Sequence, residues 1–498
     1  MESLGFLLSG FAVAFQPINM LFCLIGVLLG TLVGVLPGLG PVGAIGILLS
    51  TTFNLDPIGA IIMLAGIYYG AMYGGSTTAI LINIPGEVAC VVTCLDGHQM
   101  AKQGRAGAAL GISAFGSFIA GIIGMMILVF LAPPLANFAL KFGPTEYFSL
   151  MFLGFSIITY LSSGSMLKAF IMVLFGMFIG IVGTDPISGR ERFTMDLDIL
   201  RDGIGLVPII MGFFGLGEVF TNLETEIKSK KITEKVSNLL PTLKDWRDSI
   251  WPIIRGSFLG FFLGILPGGG AMLSSFLSYG MEKKLSRTPE KFGKGAIAGV
   301  AGPETANNAG AIGAFTPMLS MGIPSNAVTA ILLGALIIHG IEPGPLLILQ
   351  HPDLFWGVIA SMLMGNIFLI ILNLPLIGLW VKLLKVPYHI LFPIIILFCV
   401  VGVYTINYRI DDILVMLVFG LVGWCSKKFD FEGAPFILAL VLGPMMEKAL
   451  RQSLILSDGK ISVFFTRPIS AILISIAVFI MISPLFPWLK RKPLPSDD

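Results

Sequence analysis

Charged residues are scarce in this sequence. They make up 12% of the 498 residues, whereas a soluble globular protein carries about 25%. No long polar stretch separates the apolar runs, so the chain has no room for a sizeable soluble domain. Runs long enough to cross a bilayer, which takes about 20 residues, recur throughout. We therefore predict an all-α polytopic membrane protein with about 10–12 membrane segments.

A large net charge and a cluster of metal-ligating residues are also absent from the sequence. The net charge is only +2, which argues against a nucleic-acid partner. Cys90 and Cys94 lie four residues apart but have no histidine or carboxylate companion, so we interpret them as packed thiols and predict no cofactor. No Lys or Arg precedes the first apolar run, which predicts a retained helix rather than a signal peptide.

Two helix-breaking motifs occur twice in the chain. The Leu-Pro-Gly motif at residues 36–40 recurs at 266–270, and the small, polar segment 75–86 recurs at 313–325. Such breaks, placed at corresponding positions of two hydrophobic halves, are the best sequence indication of a transporter's binding site. The duplication therefore predicts a carrier.

The charge of equivalent loops changes between the two copies. The loop after residues 84–86 is basic, whereas the loop after 323–325 is not, and the segments around the two Leu-Pro-Gly motifs differ in the same way. Because basic loops stay in the cytoplasm, this alternation predicts an inverted-topology duplication. We predict a first repeat over 1–223, a basic cytoplasmic linker over 224–250 and a second repeat over 251–498. The N-terminus is then periplasmic and the C-terminus cytoplasmic.

The apolar arms around the second Leu-Pro-Gly motif, 253–266 and 271–279, are too short for two full crossings at 1.5 Å per residue. Positive charge flanks the motif on both sides. A re-entrant hairpin turning at 267–270 accounts for both facts, and its counterpart turns at 37–40. A single kinked span is the alternative.

The four breaks supply the candidate substrate-binding residues. A helix that stops inside the membrane offers free N–H groups, which attract carboxylates, at one end and free carbonyls, which coordinate Na⁺, at the other. Small residues and hydroxyls also mediate helix packing, which is the alternative role for each position. The candidates are Pro37, Gly38, Gly40, Gly75, Ser76, Thr77, Thr78, Asn83, Pro85, Gly86, Pro267, Gly268, Gly269, Thr316, Ser320, Pro324, Ser325 and Asn326.

Glu304, Asn307 and Asn308 form a separate candidate site for the coupling ion, Na⁺ or H⁺. A carboxylate within an apolar segment is costly and usually functional. The alternative is that Glu304 caps a helix end. Asp96 lies in a short basic loop and is interpreted as part of a cytoplasmic anchor, whereas Asp185, Asp411 and Asp412, in loops at the membrane face, are interpreted as solvated.

Several of these segments together resemble the large membrane subunit of the tripartite tricarboxylate transporters. The resemblance rests on residues 69–78, 85–87 and 95–107 and on a second signature at 302–309 and 322–329. It extends from about Leu21 to Met446. The chain departs from the family pattern at Ser325, where we expect glycine more often.

This resemblance implies a bacterial inner-membrane carrier and not an enzyme. It implies uptake of carboxylates such as citrate from a periplasmic solute-binding protein, beside a small membrane subunit of about four helices. Uptake would be driven by a cation gradient and not by ATP, and the sequence agrees with the absence of ATP use because it has no Walker A motif. A stand-alone cation-coupled organic-anion carrier is the nearest alternative, followed by a channel or a membrane-embedded enzyme.

Overall fold

The computed structural model describes residues 2–36, 40–162, 165–185, 187–224, 238–268, 270–384 and 388–483. In this part of the chain almost all regular structure is helical, apart from a short antiparallel ribbon that pairs β1 (Gly183–Thr184) with β2 (Glu191–Arg192). Candidate residues Pro37, Gly38 and Gly269 lie outside the described residues.

The α-helices before the linker follow one another along the chain with short connections. They are α1 (Glu2–Ala14), α2 (Pro17–Val35), α3 (Gly40–Thr52), α4 (Pro57–Ile82), α5 (Val91–Met100), α6 (Ala106–Ala139), α7 (Pro144–Leu161), α8 (Met166–Gly180), α9 (Asp198–Arg201), α10 (Leu206–Ile210) and α11 (Gly217–Glu224). A 3₁₀ turn at Val88–Cys90 precedes α5, and π-helical turns at Ala101–Arg105 and Met211–Leu216 precede α6 and α11.

The helices after the linker begin with a long hairpin. They are α12 (Leu243–Ile265), α13 (Gly270–Leu285), α14 (Ala298–Gly313), α15 (Phe315–Met321), α16 (Ala327–Ile338), α17 (Leu347–Gln350), α18 (Pro352–Asn373), α19 (Ile377–Leu383), α20 (Tyr388–Asn407), α21 (Ile410–Lys428), α22 (Gly433–Leu456), α23 (Val463–Thr466) and α24 (Pro468–Ile482). A 3₁₀ turn at Pro289–Lys291 precedes α14.

Long apolar helices recur along the described chain. Six are long and apolar enough to cross a membrane, and a further six of 10–17 residues are apolar but shorter. The prediction of an all-α polytopic membrane protein is confirmed. The inverted orientation of the two halves and the boundaries 1–223, 224–250 and 251–498 stay predictions.

Glycines at every fourth position bring α2 onto α4. Gly26, Gly30 and Gly34 face α4 so closely that a Cβ at each would lie 2.3 Å from a backbone oxygen of that helix. Small residues at this spacing allow helix backbones to approach in a membrane, where packing rather than the hydrophobic effect drives association. The contacts advance in the same direction along both helices, so α2 and α4 run parallel.

The same arrangement recurs between α12 and α14. A Cβ at Gly256, Gly260 or Gly264 would lie 2.6, 2.3 or 2.2 Å from a backbone oxygen of α14. The two glycine series occupy equivalent positions before the two Leu-Pro-Gly motifs. The duplication therefore includes a helix-packing motif as well as the helix breaks.

α12 and α13 form an antiparallel hairpin. The Arg255 guanidinium of α12 donates to the Glu282 carboxylate of α13 at 2.9 and 2.5 Å, which places the two arms side by side on either side of the turn at 267–270. A single kinked span would separate these residues by most of its length, so that alternative is wrong here. The turn of the equivalent first hairpin at 37–39 lies outside the described residues.

α4 and α14 cross at the centre of the molecule. The segments Gly59–Leu81 and Gly299–Gly313 are buried at every position. Tyr68 of α4 lies 6.0 Å, ring to ring, from Phe315, which begins α15 directly after α14. Ser76, further along α4, contacts Glu304, which comes earlier, in α14. The chain therefore runs antiparallel to α4 through α14 and into α15. Each half also covers the other, since α6 packs on α12 and α14 while α18 packs on α2 and α4.

Three acidic residues that the sequence places in loops are buried. Asp96 is fully buried, and its Oδ1 accepts hydrogen bonds from the backbone N–H groups of Gly293, Gly295 and Ala296 at 2.8–2.9 Å. Asp185 is 3% exposed and pairs with arginine side chains, and Asp412 is 7% exposed. The interpretation of Asp185 and Asp412 as solvated was therefore wrong. Through its hydrogen bonds, Asp96 anchors the loop that leads into α14.

Candidate functional site

The first break ends α4 and leads into a short turn. Asn83 adopts left-handed geometry (φ 57°) directly after α4. Gly86 lies so close to α2 that a Cβ there would be 2.0 Å from the backbone oxygen of Gly34, which explains why this position has no side chain. Glu87 then caps the following 3₁₀ turn, its Oε2 accepting from the backbone N–H of Ala89 at 3.0 Å.

Glu304 projects from α14 towards this break. It is 1% exposed, and its carboxylate accepts hydrogen bonds from three hydroxyls on three helices of the first half. Ser76 of α4 and Ser113 of α6 donate to Oε2, the latter at 3.3 Å, and Thr93 of α5 donates to Oε1. A carboxylate of the second half is thus held entirely by side chains of the first half.

Glu87 brings a second carboxylate to the same place. Its Oε1 accepts from Asn307 Nδ2 at 3.1 Å and from Cys90 Sγ at 3.3 Å. Cys90 Sγ lies 3.8 Å from Ser76 Oγ, which in turn bonds Glu304. Sequence reasoning missed Glu87 as a site residue. The available signal was an acidic residue directly after a Pro-Gly break within an apolar run.

These side chains form the first-break cluster, which comprises Ser76, Glu87, Cys90, Thr93, Ser113, Glu304 and Asn307. The Oδ1 atom of Asn307 is buried and has no hydrogen-bond partner among the described residues. Asn308 points elsewhere, because its Nδ2 donates to Ser117 Oγ at 2.7 Å and to the backbone oxygen of Glu304 at 3.0 Å. The structure therefore brings Asn307, but not Asn308, to the carboxylates.

The second break lies between α15 and α16. Gly322 takes left-handed geometry (φ 71°) after α15, and Asn326 caps α16 by accepting from the backbone N–H of Thr329 at 2.9 Å. The hairpin tip meets this break, where the backbone N–H of Gly268 donates to the Ser325 oxygen at 2.8 Å. Gly268 itself has φ +77°, a conformation that favours glycine.

A tyrosine of α4 completes this second region. Asn326 Nδ2 donates to Tyr68 Oη at 3.0 Å. The hydroxyls of Thr316 and Ser325 are buried and have no partner among the described residues, whereas Ser320 donates to the backbone oxygen of Thr316. We call this group the second-break cluster; it comprises Tyr68, Pro267, Gly268, Thr316, Ser320, Pro324, Ser325 and Asn326.

The predicted site residues thus fall into two groups. Of the predicted substrate-binding residues, Gly75, Ser76, Thr77, Thr78, Asn83, Pro85 and Gly86 belong to α4 and the first break, and the other described ones belong to the second-break cluster, apart from Gly40 at the start of α3. Of the predicted ion-binding residues, Glu304 and Asn307 belong to the first-break cluster and Asn308 does not. In the described part of the chain no hydrogen bond joins the two clusters. The first cluster is rich in acceptors with negative charge, and the second offers hydroxyls, an amide and a helix N-terminus.

Comparison with known proteins identifies the family. The family model described as "Tripartite tricarboxylate transporter TctA family" matches residues 20–438. A protein of Agrobacterium vitis named "Uncharacterized 52.8 kDa protein in TAR-I ttuC' 3'region" is 50% identical over 99% of this chain and 98% of its own length. A second protein from that organism, named for the TAR-II ttuC' 3'region, is 50% identical over 47% of this chain and 96% of its own length.

A more distant relative is the protein MJ1079 of Methanocaldococcus jannaschii, 26% identical over 52% of this chain and 61% of its own length. No solved structure matches the chain. The family match covers both breaks and both clusters. The chain therefore belongs to the tripartite tricarboxylate transporter TctA family, and it is a multi-pass membrane component of a transporter.

Proposed function

We propose that this chain is the transporting subunit of a secondary active importer of carboxylates, either citrate-like tricarboxylates or related dicarboxylates. A periplasmic solute-binding protein delivers the substrate, and a Na⁺ or H⁺ gradient drives uptake. The observation that carries the proposal is the position of Glu304. A buried carboxylate of one half is bound by hydroxyls of the other half, beside a helix break, in a chain of a transporter family.

The second-break cluster suits the substrate. The N-terminus of α16 carries partial positive charge, which favours the carboxylates of a bound acid. The buried hydroxyls of Thr316 and Ser325 lie within the same segment and have no described partner, so both are available to donate to a ligand. Uncharged donors hold an anion without needing a second buried charge.

The first-break cluster suits the coupling cation. It has two carboxylates and an unpartnered amide oxygen, which are ligands for a hard cation and not for a carboxylate. Separate places for anion and cation allow the two to be carried together. The family implies a tripartite system, and we propose as partners a small membrane subunit of about four helices and the periplasmic binding protein, in a bacterial inner membrane with a periplasmic N-terminus and a cytoplasmic C-terminus.

The test is uptake into proteoliposomes. The chain is reconstituted with its small membrane subunit and offered a panel of radiolabelled di- and tricarboxylates, with and without binding protein, under an imposed Na⁺ or pH gradient. Accumulation that requires both the binding protein and a gradient supports the proposal. Gradient-driven accumulation without binding protein indicates a stand-alone carrier, and flux that only runs downhill indicates a channel; either result contradicts it.

A further inference from the structure

We infer that Glu87 and Glu304 together bind one Na⁺ as the coupling ion, with Asn307 Oδ1 and Ser76 Oγ as further ligands. The inference rests on the proposed cation-coupled transport and adds Glu87, which sequence reasoning had not assigned to any site. It also restricts the ion-binding role to one of the two adjacent asparagines.

The convergence of these side chains is the first argument. Glu304 and Asn307 lie three residues apart on α14 and therefore on the same face of the helix. Asn307 Nδ2 reaches Glu87 Oε1 at 3.1 Å, and Ser76 reaches Glu304 Oε2. Cys90 Sγ closes the ring, lying 3.3 Å from Glu87 Oε1 and 3.6 Å from Asn307 Nδ2. Polar side chains from both halves of the chain thus form one connected hydrogen-bonded group.

The charge of the cluster is the second argument. The described hydrogen-bond donors to the two carboxylates are hydroxyls, a thiol, an amide and a backbone N–H, all of them neutral. No described ion pair involves either residue. Arg255 of α12 is already paired with Glu282. Two ionised carboxylates held close together in a buried place repel each other, and a cation bound between them removes that repulsion.

The free amide oxygen is the third argument and indicates Na⁺ in particular. Asn307 is fully buried, and its Nδ2 donates to Glu87 and Cys90, which orients the amide within the cluster. Its Oδ1 therefore remains an acceptor without a donor, a costly state for a buried polar atom. An amide oxygen is a good ligand for a hard cation but does not take up a proton.

Such a site couples the ion to the arrangement of the two halves. Ser76 and Glu87 belong to α4 and its break, whereas Glu304 and Asn307 belong to α14. A bound Na⁺ stabilises only those states in which the two sets of ligands lie together, so its binding energy shifts the population of transporter states towards them.

The test measures Na⁺ binding directly. The full chain is purified in detergent and titrated with NaCl at constant pH and ionic strength, with KCl and choline chloride as references. We expect saturable binding of ²²Na⁺ at one site and a rise in melting temperature specific to Na⁺, since a ligand that binds only the folded state stabilises it. Glu87→Gln and Glu304→Gln should lose both signals, and Asn307→Ala should weaken binding at least tenfold.

The adjacent asparagine supplies a matched control. Asn308→Ala removes the same side chain one position further along α14, where it contacts Ser117, and should keep the wild-type half-saturation for Na⁺. Wild-type protein that binds no Na⁺ above the reference salts overturns the inference, as does wild-type affinity in folded Glu87→Gln. If a variant does not fold, Na⁺ binding by the wild-type protein above the reference salts still tests whether the chain has a sodium site.

Failure of this inference and failure of the proposed function give different results. Uptake driven by a pH gradient, in protein that binds no ²²Na⁺, leaves the importer standing and rejects the sodium site. Specific Na⁺ binding by protein that transports no carboxylate under any gradient leaves the site standing and rejects the importer.

Discussion

The two helix breaks share a scaffold but differ in chemistry. The first follows α4, which packs in parallel on the glycine series of α2, and the second follows α15, which comes directly after α14 and its packing on the glycine series of α12. Each break leads into a helical segment with a side-chain cap. The cap of the first is Glu87 and that of the second is Asn326. One exchange of carboxylate for amide, together with Glu304 from the opposite half, makes the first-break cluster anionic while the second remains neutral. A duplicated backbone can therefore present one site for a cation and another for an anion.

The largest effect is expected from Glu304→Gln. This change removes the charge of the first-break cluster but keeps the shape of the side chain, so we expect gradient-driven uptake to fall to the level of protein-free liposomes while expression and folding persist. Uptake of labelled substrate and the elution profile on size exclusion check the two parts. Normal uptake in the variant would show that transport does not need the charge that distinguishes the first-break cluster from the second.

The shared scaffold is tested by Gly260→Ala. A Cβ there would lie 2.3 Å from the backbone oxygen of Ala306, so α12 and α14 must separate, and we expect a loss of about 1–3 kcal/mol of stability. Gly30→Ala should cost a similar amount, because it meets the backbone of Ile67 at the same distance. Denaturant unfolding in detergent measures both.

Gly280→Ala is the matched control for these two variants. Gly280 belongs to α13 in the same hairpin, and a Cβ there would meet nothing within 4 Å. Alanine is the better helix former by about 1 kcal/mol, so this variant should be as stable as the wild type or more stable. Equal destabilisation by Gly260→Ala and Gly280→Ala would show that close packing on α14 is not the cause.

A smaller effect is expected from Asn326→Ala at the second break. The change removes the cap of α16 and the hydrogen bond to Tyr68, at a cost of about 0.5–2 kcal/mol. Substrate affinity should fall while Na⁺ binding is unchanged, the reverse of the result expected for Glu87→Gln. Tyr68→Phe separates the two contributions, because it deletes only the hydrogen bond. Isothermal titration with substrate and with Na⁺ gives both quantities for each variant.

The smallest effect concerns the ion-pair cluster around Asp185, which belongs to neither break. The Arg451 guanidinium, 2.8 and 2.9 Å from the Asp185 carboxylate, holds the pKa of that carboxyl well below its usual value of about 3.9. A depressed pKa contributes stability above about pH 4 and loses it as the pH falls towards the lower value. Asp185→Asn should therefore lower the melting temperature at pH 7, and the difference should shrink below about pH 4.

Asp196→Asn provides the comparison within the same loop. Asp196 is exposed and has left-handed geometry, which asparagine tolerates well. The melting temperature of this variant should equal that of the wild type at every pH. A pH-independent difference for Asp185→Asn would exclude the ion pair as its cause, and acid effects on transport could then not be assigned to the ion-pair cluster around Asp185.

Much of the fold was predictable from the sequence because the signals are local. Apolar runs with few charges specify membrane helices, and Pro-Gly motifs within them specify breaks, since proline lacks a backbone donor and glycine allows left-handed geometry. The second hairpin followed from arm length and flanking charge, and the structure confirms it through Arg255 and Glu282. The glycine series at every fourth residue was equally local but was overlooked.

The composition of the site was less predictable, because it depends on contacts between distant segments. Asn307 and Asn308 are adjacent and chemically identical, yet only Asn307 reaches Glu87, 220 positions away in the chain. Asp96 was assigned to a basic anchoring loop from its neighbours in sequence, whereas its actual hydrogen-bond partners lie almost 200 positions further on. Sequence spacing says nothing about such pairings.

Local sequence is enough to specify a helical membrane chain with two duplicated helix breaks, since these properties depend on short segments and the solvent around them. Which polar groups meet depends on the tertiary packing. The antiparallel crossing of α4 and α14 brings Ser76 to Glu304 and Tyr68 towards the second break. The crossing depends on close packing over the whole interface between α4 and α14. As a result, the two copies of the duplicated motif lie in two chemically different clusters.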